Sequence, residues 1–244
     1  MIRRAPLFIV CSPRPRVGKT LLARLLVDFF LMEGRPVAAF DFPAEEPSLA
    51  DYMPGYTTKA DVTDIRGQMA LFDRLMVDDK MAKVVDLAPA AFEQFFSVLR
   101  EIGFVYDARR RGIEPVALFI TDPHRASAQA YAGLQSSLPE MVLVPVYNEA
   151  ITKGQRGREN FPLSRADSIP IQIPALMPLL HRYIEKPPFS FADFRSTPPG
   201  DIPLDTYMEL HRWMRRAFVE FRELELRLLL DDVQASLSST GSKN

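Results

Sequence analysis

The chain has 244 residues, and its 30 lysines and arginines nearly balance its 31 aspartates and glutamates, so that the formal net charge is −1. This balance gives no overall field that favours nucleic acid or an anionic membrane, and a content of 47% hydrophobic and 25% charged residues excludes a disordered or collagen-like chain. The single cysteine, Cys11, excludes a disulfide framework and a thiolate zinc site. Because no run of about 18 apolar residues is present, we expect a cytoplasmic protein without a transmembrane segment.

Short apolar runs alternate with amphipathic patterns in the first part of the chain. Unbroken apolar runs predict strands buried on both faces, and apolar spacings of three and four predict helices. Strands are predicted at 7–11, 36–40, 83–87, 116–120, 141–146 and, with a shorter pattern, 169–173; helices are predicted at 18–32, 60–77, 90–105 and 126–138. On the second helix, one buried face is predicted from Ile65, Met69, Phe72 and Met76. This alternation favours an α/β fold with a doubly wound, mostly parallel sheet, in which ligands bind at the carboxyl ends of the strands.

The sequence pattern changes after residue 185. Residues 186–203 contain five prolines and predict an irregular connection. An apolar stripe then predicts one long C-terminal helix from Leu204 to about Leu237. Its aromatic members, which we expect to pack on the same domain or on a second subunit, are Trp213, Phe218 and Phe221. The predicted organisation is an α/β domain at 1–185, the connection and helix at 186–237, and a disordered tail at 238–244.

A phosphate-binding loop is indicated between the first strand and the first helix. Gly18, Lys19 and Thr20 match the end of the pattern G-x-x-x-x-G-K-[ST] between a strand and a helix. In that pattern backbone N–H groups surround a phosphate at a helix N-terminus, the lysine reaches the β- and γ-phosphates, and the hydroxyl binds Mg²⁺. Pro13 replaces the first glycine of the pattern, and Pro15 removes a further N–H donor.

With this loop the chain resembles the ParA/MinD group of deviant Walker-A ATPases, a branch that also includes dethiobiotin synthetase-like and cobyrinate synthase-like enzymes. The loop of that group is G-K-G-G-x-G-K-[ST], and residues 13–20 align with it so that Arg14 lies at the signature lysine. In the family that lysine crosses a dimer interface to the nucleotide of the partner. The resemblance therefore implies a P-loop NTPase-like fold, a homodimer, and ATP with Mg²⁺ as cofactors.

Three further segments carry this resemblance, which covers roughly residues 5–185. Asp41 and Pro43 fall on the two aspartates of the family motif D-x-D-P-Q, and Glu45 or Glu46 is a candidate substitute for the second carboxylate. Asp86 resembles the Walker-B carboxylate at a strand end. Asn148 follows a strand that resembles the one leading to the adenine-reading asparagine of the family.

The resemblance implies three sets of site residues. The nucleotide-binding set is Arg14, Arg16, Val17, Gly18, Lys19, Thr20, Leu21 and Asn148. The catalytic set is Lys19, Arg14 and Asp41, and the Mg²⁺ ligands are Thr20, Asp41 and Asp86.

The function implied by the resemblance is a weak ATPase that acts as a nucleotide-dependent dimer switch in positioning, partitioning or assembly. The prolines at 13, 15 and 43 favour slow hydrolysis at most and keep two alternatives open. One is a non-hydrolysing scaffold that binds a protein partner through its surface and its last helix. The other is an ATP-dependent small-molecule ligase resembling dethiobiotin synthetase.

Two basic segments are candidate contact sites. Arg109, Arg110 and Arg111 form a candidate patch for nonspecific DNA, which a net charge of −1 does not favour. Basic residues at 153, 156 and 158, in a loop after the fifth strand, are candidates for contact with phosphate or a partner.

Overall fold

The computed structural model of the chain describes residues 4–43, 46–60, 64–152, 169–198, 200 and 202–241. Its strands are β1 (Ala5–Cys11), β2 (Val37–Asp41), β3 (Thr57–Lys59), β4 (Ala82–Asp86), β5 (Ile113–Ile120), β6 (Val142–Asn148) and β7 (Ile171–Ile173). In this described part of the chain they form one parallel sheet of seven strands, in the order β3-β2-β4-β1-β5-β6-β7.

Helices cover both faces of this sheet. They are α1 (Lys19–Met32), α2 (Leu49–Tyr52), α3 (Ile65–Leu75), α4 (Phe92–Glu101), α5 (Phe104–Arg110), α6 (Arg125–Ser137), α7 (Glu149–Thr152), α8 (Pro178–Ile184), α9 (Phe191–Ser196) and α10 (Leu204–Gly241). The predicted α/β class with a long C-terminal helix is therefore confirmed. Within the described residues, none of these helices has both the length and the apolar composition that a bilayer crossing requires.

The central strand β1 explains why the apolar runs are continuous. Leu7 and Ile9 are fully buried in the core on the side of α3 to α6, whereas Phe8 and Val10 are buried on the side of α1 and α10. Both faces of the strand therefore lose contact with water, and burial of each such side chain contributes about 1.5–3 kcal/mol.

The long helix α10 packs on its own chain. The rings of Phe218 and Phe221 lie 5.5 Å and 5.6 Å from the ring of Phe29 on α1. The Trp213 indole N–H donates to the carbonyl of Pro174 at 2.8 Å. These aromatic residues therefore contact their own chain.

The observed elements differ from the predicted ones in several places. The helix predicted at 90–105 is divided into α4 and α5, because Gly103 adopts a left-handed φ of 63° that ends one helix before the next begins. The short elements α2, β3, α8 and α9 were not predicted. The helix α10 extends to Gly241, and residues 242–244 of the predicted tail lie outside the described residues.

The face predicted for the second long helix is partly wrong. Ile65 is 73% exposed and Met69 is 62% exposed, although both were assigned to the buried side. The buried residues of α3 are Leu71, Phe72 and Leu75. Phe72 packs on the rings of α4 and α5, so that only the second half of α3 contacts the core.

Candidate phosphate-binding site

The loop between β1 and α1 turns sharply just before the helix begins. Arg16 and Gly18 adopt left-handed φ values of 58° and 98°. Directly after this turn, Leu22 N–H donates to the carbonyl of Gly18 at 3.0 Å and starts α1. The first N–H groups of an α-helix have no intrahelical acceptor and carry partial positive charge, which suits an anion.

The prolines of the loop do not close it. A cleft of about 420 Å³ opens over the loop and over the carboxyl ends of β2 and β4. The predicted site residues that line it are Arg16, Gly18, Lys19, Thr20, Leu21, Asp41 and Asp86. Pro15 forms part of its wall, and the Lys19 ammonium donates to the carbonyl of Arg14 at 2.8 Å across the loop. The loop is therefore open enough to receive a phosphate group.

Two carboxylates and one hydroxyl meet at the floor of this cleft. Asp41 and Asp86 are register partners at the ends of the neighbouring strands β2 and β4. Thr20 Oγ1 donates to Asp86 Oδ2 at 2.7 Å. Asp41 Oδ2 accepts a hydrogen bond from Ala50 N–H at 3.0 Å, at the start of α2.

Burial has a large effect on the acidity of this cluster. Burial, which has the largest effect, and the neighbouring Asp41 charge together raise the pKa of Asp86 to about 7, against the Thr20 hydrogen bond and the Lys19 ammonium, which lower it. A bound cation would favour the ionised form of Asp86.

The donor set suits Mg²⁺. The described residues contain no group of three or more His, Cys, Asp or Glu side chains that could enclose a metal ion. Mg²⁺ does not need such a cage, because it is usually held by one or two carboxylates, water and substrate phosphates. Thr20, Asp86 and Asp41 therefore fit an ion that shares its coordination with a phosphate group.

The other loop residues lie beside the cleft rather than in its wall. The Arg14 guanidinium is 3.1 Å from Nε2 of His124 in the same chain, next to the start of α6. Val17 is buried beneath the loop, where its carbonyl accepts a hydrogen bond from Asn148 Nδ2 at 3.0 Å.

Several residues of the cleft wall were not predicted from the sequence. They are Phe42, Pro47, Ser48, Tyr52, Leu87, Ala88, Pro89 and Glu185; Pro43 and Glu46, which the family resemblance singled out, also line the cleft. Most lie between β2 and α2 or directly after β4, whereas Tyr52 ends α2 and Glu185 follows α8. Tyr52 connects these segments, because its hydroxyl donates to the carbonyl of Glu185 at 2.8 Å. The candidate contacts at residues 45, 153, 156 and 158 lie outside the described residues.

Tyr52 also borders a second cleft of about 450 Å³. Besides Tyr52, its wall includes the aromatic residues Tyr56, Tyr183, Phe189 and Phe194. The two clefts thus share one side chain, at the end of a four-residue helix.

Comparison with solved structures finds similar folds. No known family profile and no curated protein matches the chain. Among solved structures, the chain is similar to the MinD cell division protein of Aquifex aeolicus, with 17% sequence identity, a TM-score of 0.41, and coverage of 85% of this chain and 98% of that chain. At this identity and TM-score, we draw nothing from the likeness about the chemistry of the site.

Proposed function

We propose that the chain binds ATP with Mg²⁺ at the carboxyl end of β1. The observation that carries this proposal is that the glycine, lysine and threonine of the loop open onto the same cleft as two buried strand-end carboxylates. A positively polarised helix start beside a carboxylate pair suits a phosphate group that is bridged to a divalent cation.

Each residue has a distinct part in such binding. The N–H groups at the start of α1 and the Lys19 ammonium would neutralise the phosphate oxygens. The ammonium would then donate to a charged phosphate oxygen instead of the Arg14 carbonyl. Thr20, Asp41 and Asp86 would hold Mg²⁺, which supplies positive charge to the phosphate chain when it is bound.

We further propose slow hydrolysis and a nucleotide-dependent dimer that acts as a switch in positioning, partitioning or assembly. Pro43 stands where the family resemblance places a second aspartate, which supports slow rather than fast turnover. Completion of a partner's site by Arg14 requires its guanidinium to leave His124, so dimer formation would change this contact.

The proposal is tested by calorimetric titration of ATP and Mg²⁺ into the wild type, Lys19→Ala and a control, Lys80→Asn. Lys80 is exposed and forms an ion pair with Asp78, and asparagine tolerates its left-handed φ of 60°. We expect Lys19→Ala to weaken binding by about tenfold or more, equivalent to about 1.4 kcal/mol, and the control to bind normally. Equal affinity of the wild type and Lys19→Ala would end the proposal.

A second candidate, an ATP-dependent small-molecule ligase, is supported by the extension of the cleft to Ser48, Tyr52 and Pro89, beyond the phosphate loop. ATP turnover that appears only when a particular metabolite is added would favour it over the switch. A non-hydrolysing scaffold, the third candidate, requires that no turnover depends on Lys19.

A further inference from the structure

We infer that Asn148 is a positioning residue of the phosphate loop and acts on the loop backbone rather than on a nucleobase. This inference rests on the proposed function and deepens it, because it assigns the asparagine to recognition of the triphosphate group. It departs from the adenine-reading role that the family resemblance implies for this residue.

The amide of Asn148 is held in one orientation by contacts at both of its ends. Nδ2 donates to the carbonyl of Val17 at 3.0 Å, and Oδ1 accepts from Ala150 N–H at 3.1 Å. The residue is only 9% exposed, at the last position of β6. Rotation of the amide towards another group would break both hydrogen bonds.

Gly18 is packed directly against this amide. A Cβ atom added to Gly18 would lie 2.6 Å from Asn148 Nδ2, closer than side-chain atoms approach one another. The φ of 98° also disfavours any residue with a Cβ. Both the backbone conformation of the loop and its contact with Asn148 therefore require glycine at this position.

The contact with Val17 determines where the next N–H group points. In a planar trans peptide the C=O and the following N–H point in opposite directions. Because the Val17 carbonyl is directed at Asn148, the N–H of Gly18 points away from Asn148, and Gly18 is one of the residues that line the cleft. The asparagine therefore orients one donor of the candidate phosphate site.

The test compares ligands that share a triphosphate but differ in the base. Mg²⁺ complexes of ATP, GTP and inorganic tripolyphosphate are titrated into the wild type, Asn148→Ala and Asn148→Asp. A loop-positioning role predicts that Asn148→Ala weakens all three by the same factor, roughly 3- to 10-fold for one neutral hydrogen bond. A loss confined to ATP, with tripolyphosphate binding unchanged, would overturn the inference.

Asn148→Asp keeps the side-chain volume and the acceptor for Ala150 but replaces the donor to Val17 with a second acceptor. We expect it to weaken all three ligands at least as much as Asn148→Ala. Because aspartate has nearly the same shape as asparagine, Asn148→Asp serves as the reference if Asn148→Ala unfolds. Unchanged tripolyphosphate binding by folded Asn148→Asp would also overturn the inference.

A double-mutant cycle between Gly18 and Asn148 measures whether their contact affects ligand affinity. A purely structural role of Asn148 would not change that quantity. In the wild type, the Cβ atom added by Gly18→Ala clashes with the Asn148 amide and also has an unfavourable φ. In the Asn148→Ala background the clash is absent and only the unfavourable φ remains. The loss of tripolyphosphate affinity caused by Gly18→Ala is therefore expected to be smaller in that background, and strictly additive losses would contradict the contact. If the wild type binds none of the three ligands, the proposed function itself fails, whereas base-dependent losses refute only the role of Asn148.

Discussion

The surroundings of Asp86 favour a bound cation. It is buried, it accepts a hydrogen bond from Thr20, and it lies beside the carboxylate of Asp41. Keeping two neighbouring carboxylates ionised away from water is costly, which agrees with the raised pKa of Asp86. A divalent ion would remove that cost.

Asp86→Asn keeps an acceptor for Thr20 and removes the charge. We expect Mg²⁺ to lose most of its enhancement of nucleotide binding, by about tenfold or more, and the ligand-free protein to become more stable. Calorimetry with and without Mg²⁺, together with urea unfolding, measures the two effects. Asp193→Asn, on the exposed side of α9, is the control, and an undiminished Mg²⁺ effect in Asp86→Asn would refute the role of Asp86.

The residues of the candidate site were only partly predictable. Gly18, Lys19, Asp41 and Asp86 could be placed together because the carboxyl ends of parallel strands meet at one edge of the sheet. Tyr52 could not, since its place in the wall depends on a hydrogen bond to a carbonyl 133 positions away. No local pattern marks such a contact.

At the scale of secondary-structure elements, α1 organises the segment that follows α8. Asp28 on α1 accepts hydrogen bonds from Ser190 Oγ at 2.6 Å and from Phe191 N–H at 2.7 Å, and so caps the start of α9. Burial raises the pKa of Asp28 to about 6, although these hydrogen bonds and the charge of Arg24 lower it.

This cap gives a pH dependence with a definite sign. The carboxyl ionises near pH 3.8 when unfolded and near pH 6 when folded, so the folded chain binds more protons between these values. The contribution of Asp28 to the free energy of unfolding therefore falls as the pH rises from about 4 to about 6, by roughly 2–3 kcal/mol.

We expect Asp28→Asn to lack the decrease in the free energy of unfolding that Asp28 causes between about pH 4 and pH 6. Urea unfolding of the wild type, Asp28→Asn and the control Asp193→Asn at several pH values between 4 and 7 measures it. An identical pH profile for the wild type and Asp28→Asn would contradict the assignment.

The elements that escaped prediction share a physical reason. The prolines at 186–203 predicted an irregular connection, yet α9 forms within it; Pro178, before this connection, occupies the first turn of α8, where a missing N–H has no cost. The capping partner of α9 comes from α1, 162 positions earlier. Long apolar runs were predictable because they carry their signal locally, whereas these short helices depend on distant partners.

On the scale of the whole molecule, the sheet separates two hydrophobic cores. The candidate phosphate-binding loop lies between β1 and α1. The fold class was predictable from the alternation of buried runs and helices. The order of the strands was not, because strand pairing depends on contacts between distant segments. The boundary at residue 185 and the homodimer remain predictions.

Ligand binding should be visible in the stability of the entire chain. With Mg²⁺ and ATP at about 100 times the dissociation constant, the free energy of unfolding should rise by about 2.7 kcal/mol. For a chain of this size that corresponds to an increase in Tm of roughly 5–11 °C. Calorimetric melting of the wild type and Lys19→Ala tests this expectation, and an equal shift in both would place the bound nucleotide elsewhere.

The hydrogen bond from Ala50 N–H to Asp41 Oδ2 links the candidate cation site to the start of α2. A carboxylate has a second oxygen, so an ion at Asp41 need not displace this amide. Removal of the Asp41 carboxylate is expected to affect the walls of both clefts, because Tyr52 of the same short helix lines each of them.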